Sequence, residues 1–266
     1  MNKLNRANRH QAAPFFEHTD LPSVVLTFLQ GYAGEGWIDC VDAPSCAQIH
    51  VGDISLVAGD HKSKQALSLV ENLPDQPESP WFMIVPQNHD WAMLIEECFP
   101  EQSQKIVRHA SKKDVAFSKE NLLAYVHNLP SEYRLCKIDD HLFHRCLQNQ
   151  HMRDLCSQFS SAQDYAKRGV GFCILHQDRI ICGASSYFSY DGGIEIQIDT
   201  DKNYRRQGLA TVCGARLILE CLRTGRHPGW DAANLPSVAL AEKLGYEFSH
   251  EYAAYLIRNP KHTCLP

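Results

Sequence analysis

The sequence predicts an α/β protein, and three neighbouring patterns carry that prediction. Isoleucines alternate with polar residues over residues 193–200, which is the period of two typical of a β-strand. From Leu209 onward, apolar residues recur every four positions and would form one face of a helix. The turn between them reads RRQGLA, residues 205–210, and combines positive charge with a glycine. A strand that leads into a helix through a short turn is the repeating unit of α/β folds.

The first half of the chain predicts further α/β structure of unassigned function. Apolar runs indicate strands at residues 37–41, 49–57, 81–86 and 105–109, and helical spacing indicates helices at residues 64–72 and 89–99. The stretch NLPDQPESP, residues 72–80, holds three prolines and predicts a loop. The chain turns polar between residues 110 and 130, so we predict an N-terminal α/β domain over residues 1–125 and a second domain over residues 126–266.

The second half predicts a strand at residues 133–138, helices at 139–148 and 154–167, and two strands joined at 176–179. The dipeptide Gln177-Asp178 between two apolar runs is the hairpin signal. The helix that starts near Leu209 is predicted to end at Gly225, in a C-cap position, with Pro228 just beyond it.

Residues 205–210 form a candidate anion site. The first turn of a helix has N–H groups without intrahelical partners and the positive end of the helix dipole. A bound phosphate accepts hydrogen bonds from these N–H groups, and its negative charge is stabilised by the positive end of the dipole. Gly208 lacks the Cβ that would hold a pyrophosphate away from the backbone, and Arg205 and Arg206 add charge. The six residues of the loop by themselves also fit a solvent-exposed basic turn that binds no anion, and this alternative stays open.

A second motif follows that helix. Asn234 stands in the N-cap position of the next predicted helix, with Pro236 in the first turn and Ser237 three residues after the cap. Gly245 is predicted to end this helix before a last strand that begins near Tyr246.

Arg205-x-x-Gly208-x-Ala210, together with Asn234-x-x-Ser237 and EKLGY at residues 242–246, resembles the acyl-CoA-binding half of the GNAT superfamily of N-acyltransferases. The resemblance covers about residues 131–260 and is closest to a larger subgroup with an N-terminal α/β extension. It implies a GNAT-like mixed, mostly antiparallel central sheet flanked by helices, acetyl-CoA as cosubstrate, and no metal.

The resemblance also implies which residues contact acyl-CoA. The basic loop would hold the pyrophosphate, a backbone N–H on the preceding strand would meet the thioester carbonyl, and the asparagine-capped turn would contact the pantetheine arm. The candidate residues are Ile198, Asp199, Thr200, Arg205, Arg206, Gln207, Gly208, Leu209, Ala210, Asn234 and Ser237.

Glu195 is the candidate general base. It shares one strand face with Gln197 and Asp199, and a covered sheet would not bury three polar groups unless that face opens into a cleft. An exposed or ion-paired structural residue is the alternative for Glu195. Superfamily members with a glutamate base often carry it one residue earlier, at the position of Ile194 here.

The general acid is not carried over, because the superfamily's usual tyrosine corresponds to Ala241. Tyr246 is the candidate substitute, with Ser237, Tyr187 and Tyr190 as further alternatives. A thiolate can also leave without a dedicated acid, since the pKa of a thiol is about 8.5.

The expected activity is direct transfer of an acetyl group from acetyl-CoA to a primary amine of a small molecule. Some members of the subgroup are associated with antibiotic resistance, so antibiotics are among the candidate acceptors. A non-catalytic acyl-CoA-binding module remains open as an alternative, as does an acyltransferase for a protein or aminoacyl-tRNA amine.

Composition and charge exclude some classes of function. A formal charge of −5 and a pI near 6.3 argue against general nucleic-acid binding. We expect a cytoplasmic protein without membrane segments, because the apolar runs are short, the N-terminus has no hydrophobic signal region, and the eleven cysteines lie mostly in apolar patterns. The fourteen histidines show no convergent ligand set. The oligomeric state, a homodimer included, is left open.

Overall fold

The computed structural model describes residues 1–75 and 79–261, so part of the proline-rich loop predicted at residues 72–80 lies outside the described residues. The chain divides into two compact units. Among the described residues, those up to Arg108 and from Glu251 to Lys261 form the first, and His109–His250 form the second. The predicted functional division at residue 125 stays a prediction.

The first unit is built on a sheet in which β1 to β4 pair antiparallel in chain order and β4 pairs parallel with β5. A 3₁₀ helix at Arg9–Phe16 and helix α1 precede most of these strands. The elements are β1 (Asn2–Lys3), α1 (Pro22–Leu29), β2 (Glu35–Ile38), β3 (Cys46–Val51), β4 (Ile54–Gly59), α2 (Ala66–Glu71), β5 (Trp81–Pro86), α3 (His89–Cys98) and β6 (Ser103–Ser111).

The single strand predicted at residues 49–57 is wrong, because that segment spans the hairpin of β3 and β4. Val51 pairs with Ile54 across the two-residue turn Gly52-Asp53. Gly52 has φ 60°, a left-handed conformation that glycine adopts without a Cβ clash. The Gly-Asp pair between two apolar runs is the local signal for this turn.

The second unit contains a five-stranded sheet in the order β11-β10-β9-β8-β7. All neighbours pair antiparallel except β10 and β11, which are parallel, and this confirms the predicted mixed, mostly antiparallel sheet. The remaining elements of the chain are α4 (Lys119–His127), β7 (Tyr133–Lys137), α5 (Asp140–Gln148), α6 (Ala162–Arg168), β8 (Gly171–His176), β9 (Arg179–Tyr190), β10 (Gly193–Thr200), α7 (Leu209–Thr224), β11 (His227–Gly229), β12 (Asp231–Ala232), α8 (Leu235–Leu244) and β13 (Phe248–Arg258). Most of β13, from Glu251 onward, belongs to the first unit.

The predicted hairpin turn at Gln177-Asp178 and the predicted C-terminal ends of α7 and α8 are confirmed. Gly225 and Gly245 cap α7 and α8 in the left-handed conformation, with φ of 68° and 106°. Gln177 and Asp178 both have positive φ, as the two central residues of a type I′ hairpin turn require. The apolar face predicted for α7 packs on the sheet through Leu209, Cys213, Leu217 and Cys221, all of them buried.

The helix predicted at residues 154–167 is divided into two pieces. A 3₁₀ turn covers Arg153–Leu155, and α6 begins only at Ala162. The Ser161 side chain accepts a hydrogen bond from the Asp164 N–H at 3.1 Å, which starts a new helix at that point. Phe159, between the two pieces, packs into the core with an irregular backbone. Helix α4 was not predicted, because a single buried residue, Leu122, marks its inner face.

Candidate functional site

The candidate site lies where β10 and β11 separate. The two strands pair in parallel from Gly193 with His227 to Glu195 with Gly229. Gly229 is the last residue of β11, whereas β10 continues to Thr200, and β12 pairs with β6. The edge of β10 beyond Glu195 is therefore not covered by β11. A strand edge of this kind presents N–H and C=O groups to an extended ligand.

A β-bulge adjoins this point on the opposite side of β10. Glu195 pairs with Phe188 and Ile196 pairs with Ser186, so Tyr187 is the extra residue on β9. Because the insertion is on β9, it does not shift the residues along β10. The one-residue offset between Glu195 and the glutamate position of the superfamily therefore remains.

The two faces of β10 differ in character. Ile194, Ile196 and Ile198 pack toward the apolar residues beneath α7. Glu195, Gln197 and Asp199 occupy the other face, as the strand period requires. The segment around Leu155 covers that face, because a Cβ added at Gly183, the pairing partner of Asp199, would lie 2.4 Å from Leu155 Cδ1.

Glu195 is half-buried at the strand divergence. Its Oε2 atom lies 2.9 Å from the position that a Cβ on Gly229 would take. Tyr190 on β9 lies close by, and burial followed by the negative charge of Glu195 raises the pKa of its hydroxyl to about 12. The carboxyl of Glu195 therefore sits between the two neighbouring strands β9 and β11.

Asp199 is the second carboxyl on this face. The amide nitrogen of Gln197 donates a hydrogen bond to Asp199 Oδ2 at 3.0 Å. Burial is the main cause that raises the pKa of Asp199 to about 6, and the negative charge of Asp154 adds to it. The hydrogen bond from Gln197 and the charges of Arg205 and His151 act in the opposite direction. A carboxyl with this pKa can exchange a proton near neutral pH.

The basic loop has the backbone geometry of an anion cradle. Arg206 and Gly208 have positive φ, 61° and 80°, and Gly208 is the N-cap residue of α7. A Cβ added at Gly208 would meet nothing within 4 Å, so open space lies in front of the loop. The N–H groups of the first turn, Leu209 and Ala210 among them, have no acceptor within the helix. The Arg205 side chain donates to the carbonyl of Thr200 at 3.4 Å.

Three aromatic residues that sequence reasoning missed hold this loop. The Tyr133 hydroxyl donates to Gln207 Oε1 at 2.9 Å. The ring of Tyr133 also contacts His176, whose Nδ1 lies 3.0 Å from the Tyr204 hydroxyl. These contacts join the loop to β7 and β8. No local pattern could reveal them, because Tyr133 and Gln207 are 74 residues apart.

Helix α8 begins as predicted. Asn234 Oδ1 accepts a hydrogen bond from the Ser237 N–H at 3.0 Å, which confirms the N-cap. The Ser237 hydroxyl in turn accepts a bond from Trp230 Nε1 at 3.2 Å. The predicted contacts of Asn234 and Ser237 with the pantetheine arm stay predictions.

Tyr246 is buried, with 4% of its surface exposed. Its hydroxyl donates to the carbonyl of Pro228 at 2.8 Å, and burial raises its pKa well above the ordinary value. The only hydroxyl proton is therefore committed to the backbone, which weighs against the general-acid role predicted for Tyr246. Ala241 is buried in the same cluster, at 2% exposure.

Two absences concern the described part of the chain, residues 1–75 and 79–261. No group of three or more His, Cys, Asp and Glu side chains there is arranged to hold a metal ion. No helix in that part combines the length and the apolar character needed to cross a bilayer.

A model of the family described as GNAT acetyltransferase matches residues 13–255. The match includes most of the N-terminal half, for which the motifs alone indicated no function. The uncharacterized N-acetyltransferase YdfB of Bacillus subtilis (strain 168) is 26% identical over 262 residues, which cover 96% of this chain and 98% of that protein.

Solved structures agree with this match. A GCN5-related N-acetyltransferase-like protein from Streptococcus suis 89/1591 superposes with a TM-score of 0.86 at 35% identity, over 96% of this chain and 100% of the other. A tandem GNAT protein from the clavulanic acid biosynthesis pathway has a TM-score of 0.55 at 11% identity, over 97% of each chain. The second likeness concerns the fold alone.

Proposed function

Because the chain belongs to the GNAT acetyltransferase family, we propose that it transfers an acetyl group from acetyl-CoA directly to a primary amine of a small molecule. The observation that carries the proposal is the open loop at the start of α7, next to the edge of β10 that β11 does not cover. The open loop fits a pyrophosphate, and the strand edge fits an extended chain. Acyl-CoA contains a pyrophosphate and an extended pantetheine arm. Residues 126–266 would carry this activity.

Acyl-CoA supplies an activated thioester, and the proposal assigns its parts to residues of this chain. Arg205, Arg206 and the N–H groups from Gln207 to Ala210 would hold the pyrophosphate. The edge of β10 at Ile198–Thr200 would pair with the pantetheine arm and offer an N–H to the thioester carbonyl. Asn234 and Ser237 would contact the arm from the start of α8.

Glu195 is the proposed proton acceptor. An amine arrives mostly as an ammonium ion at neutral pH, and it attacks only after it has lost a proton. Glu195 would take that proton, directly or through a water molecule. Support comes from its half-buried position beside the end of the β10–β11 pairing. Asp199, on the same face, is the alternative acceptor.

The proposal needs no general acid. Ala241 offers no proton, and the proton of Tyr246 is bonded to Pro228. The thiol of coenzyme A has an ordinary thiol pKa of about 8.5, so a thiolate is an adequate leaving group. The nitrogen loses its second proton as the amide forms and the departing thiolate takes up a proton, so the products would be the amide and the free thiol of coenzyme A, and Glu195 would return its proton to solvent.

The primary experiment measures thiol release from acetyl-CoA against a panel of primary amines, antibiotics with free amino groups included. Glu195→Gln should lower kcat/KM by roughly 10²–10⁴-fold and leave acetyl-CoA affinity nearly unchanged, because it keeps the shape and removes the proton acceptor. The loss should shrink as pH rises, since more of the amine is then neutral.

Glu120→Gln is the matched control, because Glu120 is exposed on α4 and the change in charge is the same. Near-native activity of Glu195→Gln at neutral pH would move the role of base to Asp199 or to no residue.

A non-catalytic acyl-CoA-binding module is the second candidate. It is favoured by one observation, the buried alanine at the position of the superfamily's tyrosine. Tight binding of acetyl-CoA without thiol release above the blank for any amine of the panel would support this second function.

A further inference from the structure

Gly229 lies directly beside Glu195. The two residues are the last pair of the parallel β10–β11 ladder. Paired residues of neighbouring strands stand about 4.8 Å apart and direct their side chains to the same face. Glu195 and the vacant side-chain position of Gly229 are therefore neighbours on one face of the sheet.

The carboxyl of Glu195 occupies the space that a side chain at position 229 would need. A Cβ at Gly229 would lie 2.9 Å from Glu195 Oε2 and 3.5 Å from its Cδ. It would also lie 2.9 Å from the carbonyl oxygen of Ile194. The φ angle of Gly229 lies outside the left-handed range, so the backbone conformation alone would accept any residue. Glycine is required here by space and not by backbone conformation.

We propose that Gly229 is a positioning residue for Glu195, because its missing side chain leaves the space in which the carboxyl rests at the divergence of β10 and β11. The catalytic consequence of this inference rests on the proposed role of Glu195. A methyl group at position 229 meets a backbone carbonyl that is held in the sheet and a carboxyl at the end of a flexible side chain. The carbonyl contact must be relieved by a small shift of β11, which is the same with glutamate or glutamine at position 195, whereas the carboxyl is displaced from its resting place.

Displacement of a proton acceptor has a predictable kinetic result. A misplacement of about 1 Å can lower a rate by roughly 100-fold, because proton transfer depends on a short distance between donor and acceptor. The pyrophosphate loop is at the other end of β10, so acetyl-CoA affinity should not change. Gly229→Ala should therefore lower kcat and leave the acetyl-CoA dissociation constant unchanged.

The test is a double-mutant cycle that combines Gly229→Ala with Glu195→Gln. In the wild-type background Gly229→Ala should lower kcat/KM by roughly 10-fold to 100-fold. In the Glu195→Gln background it should lower kcat/KM by only about threefold or less, because no proton acceptor is left to displace and only the strain against the Ile194 carbonyl remains. Gly192→Ala is the control for general strain, since it forces an alanine to φ 89° with nothing within 4 Å of the new methyl. An equal loss from Gly229→Ala in both backgrounds would overturn the proposal.

A second readout separates this inference from the proposed function. The ¹³C resonance of the Glu195 carboxyl, assigned by its loss in Glu195→Gln, is titrated in the wild type and in Gly229→Ala. The new methyl changes the solvation of the carboxyl. It should therefore move the midpoint of the titration by about half a pH unit or more, whether or not Glu195 is the base. An identical titration in the two proteins overturns the positioning role. Near-native activity of Glu195→Gln with a shifted titration overturns the catalytic role of Glu195 and supports the contact with Gly229.

Discussion

At the scale of single residues, Asp199 carries a pH response that can be measured without knowing the acceptor. Its folded-state pKa is about 6, above the ordinary value of 3.8, because the carboxyl is buried. The folded state therefore binds this proton more tightly than the unfolded state. The resulting stabilisation is present below about pH 4 and is lost as pH rises through 6.

Asp199→Asn should consequently raise the melting temperature at pH 7, where it removes a buried charge. It should have little effect at pH 4, where the aspartate is protonated and resembles asparagine. Thermal unfolding at both pH values checks this, with the exposed Asp42→Asn as control. A lower melting temperature for Asp199→Asn at pH 7 would contradict the assigned cause of the pKa shift.

The sequence predicts the structural role of a residue well where the partners of that residue are near in the chain. Asn234 and Gly225 were identified as helix caps, and both are confirmed, because a cap depends on residues within one turn. Tyr133 and Gly229 were missed, because their partners Gln207 and Glu195 come close only in the folded sheet. The catalytic role of Glu195 stays a prediction.

At the scale of elements, apolar runs predicted where strands and helices occur and failed on where they break. The apolar run at residues 49–57 predicts one strand, although Gly52-Asp53 lies between the two strands of the β3–β4 hairpin. The break before α6 depends on a cap at Ser161 and on Phe159, which points into the core. The break before α6 depends on the packing of Phe159 against residues distant in the chain, so a short window of the sequence cannot reveal it.

Helix α7 allows the basic loop to be tested with a control in the same element. Gly208 and Gly225 cap its two ends with φ of 80° and 68°, and a Cβ at either position meets nothing within 4 Å. Gly208→Ala and Gly225→Ala should therefore lower stability by a similar amount, about 1 kcal/mol each. Only the first methyl enters the space proposed for the pyrophosphate.

Titration calorimetry with coenzyme A should show about a tenfold or greater loss of affinity for Gly208→Ala and no change for Gly225→Ala. Equal affinities for the two folded variants would remove the loop from the binding site.

At the scale of the whole molecule, the sequence predicted the second unit better than the first. The basic loop and the asparagine-capped helix together resemble one family, and that resemblance implies the mixed sheet of the second unit. In the first unit, Tyr255 of β13 pairs with Ile84 of β5. Such a register joins residues from distant parts of the chain and is set by the fold of the whole unit, so local periodicity carries no information about it.

One buried group in each compact unit should contribute to the acid response with opposite sign, His50 in the first unit and Asp199 in the second. In the first unit, burial lowers the pKa of His50 to about 4. Its ring nitrogens lie 2.6 Å from the Ser55 hydroxyl and 3.2 Å from the Asn72 amide, a neutral environment. Because the unfolded histidine has a pKa of 6.5, the unfolded state binds a proton first as pH falls. The stabilisation is full above pH 6.5 and is lost toward pH 4. Asp199 in the second unit changes in the opposite sense over the same range.

Site-resolved hydrogen exchange, corrected for the intrinsic pH dependence of exchange, can measure the two responses separately. Between pH 7 and pH 5, the opening free energy of the β3 and β4 amides should fall by roughly 2 kcal/mol relative to the same amides in His50→Gln. The exposed His10→Gln should behave as the wild type does. Over the same interval the β9 and β10 amides should gain protection relative to Asp199→Asn. Equal effects of His50→Gln on the β3–β4 amides and on the β9–β10 amides would mean that the chain opens as one cooperative unit, and the assignment of the two responses to separate units would then be wrong.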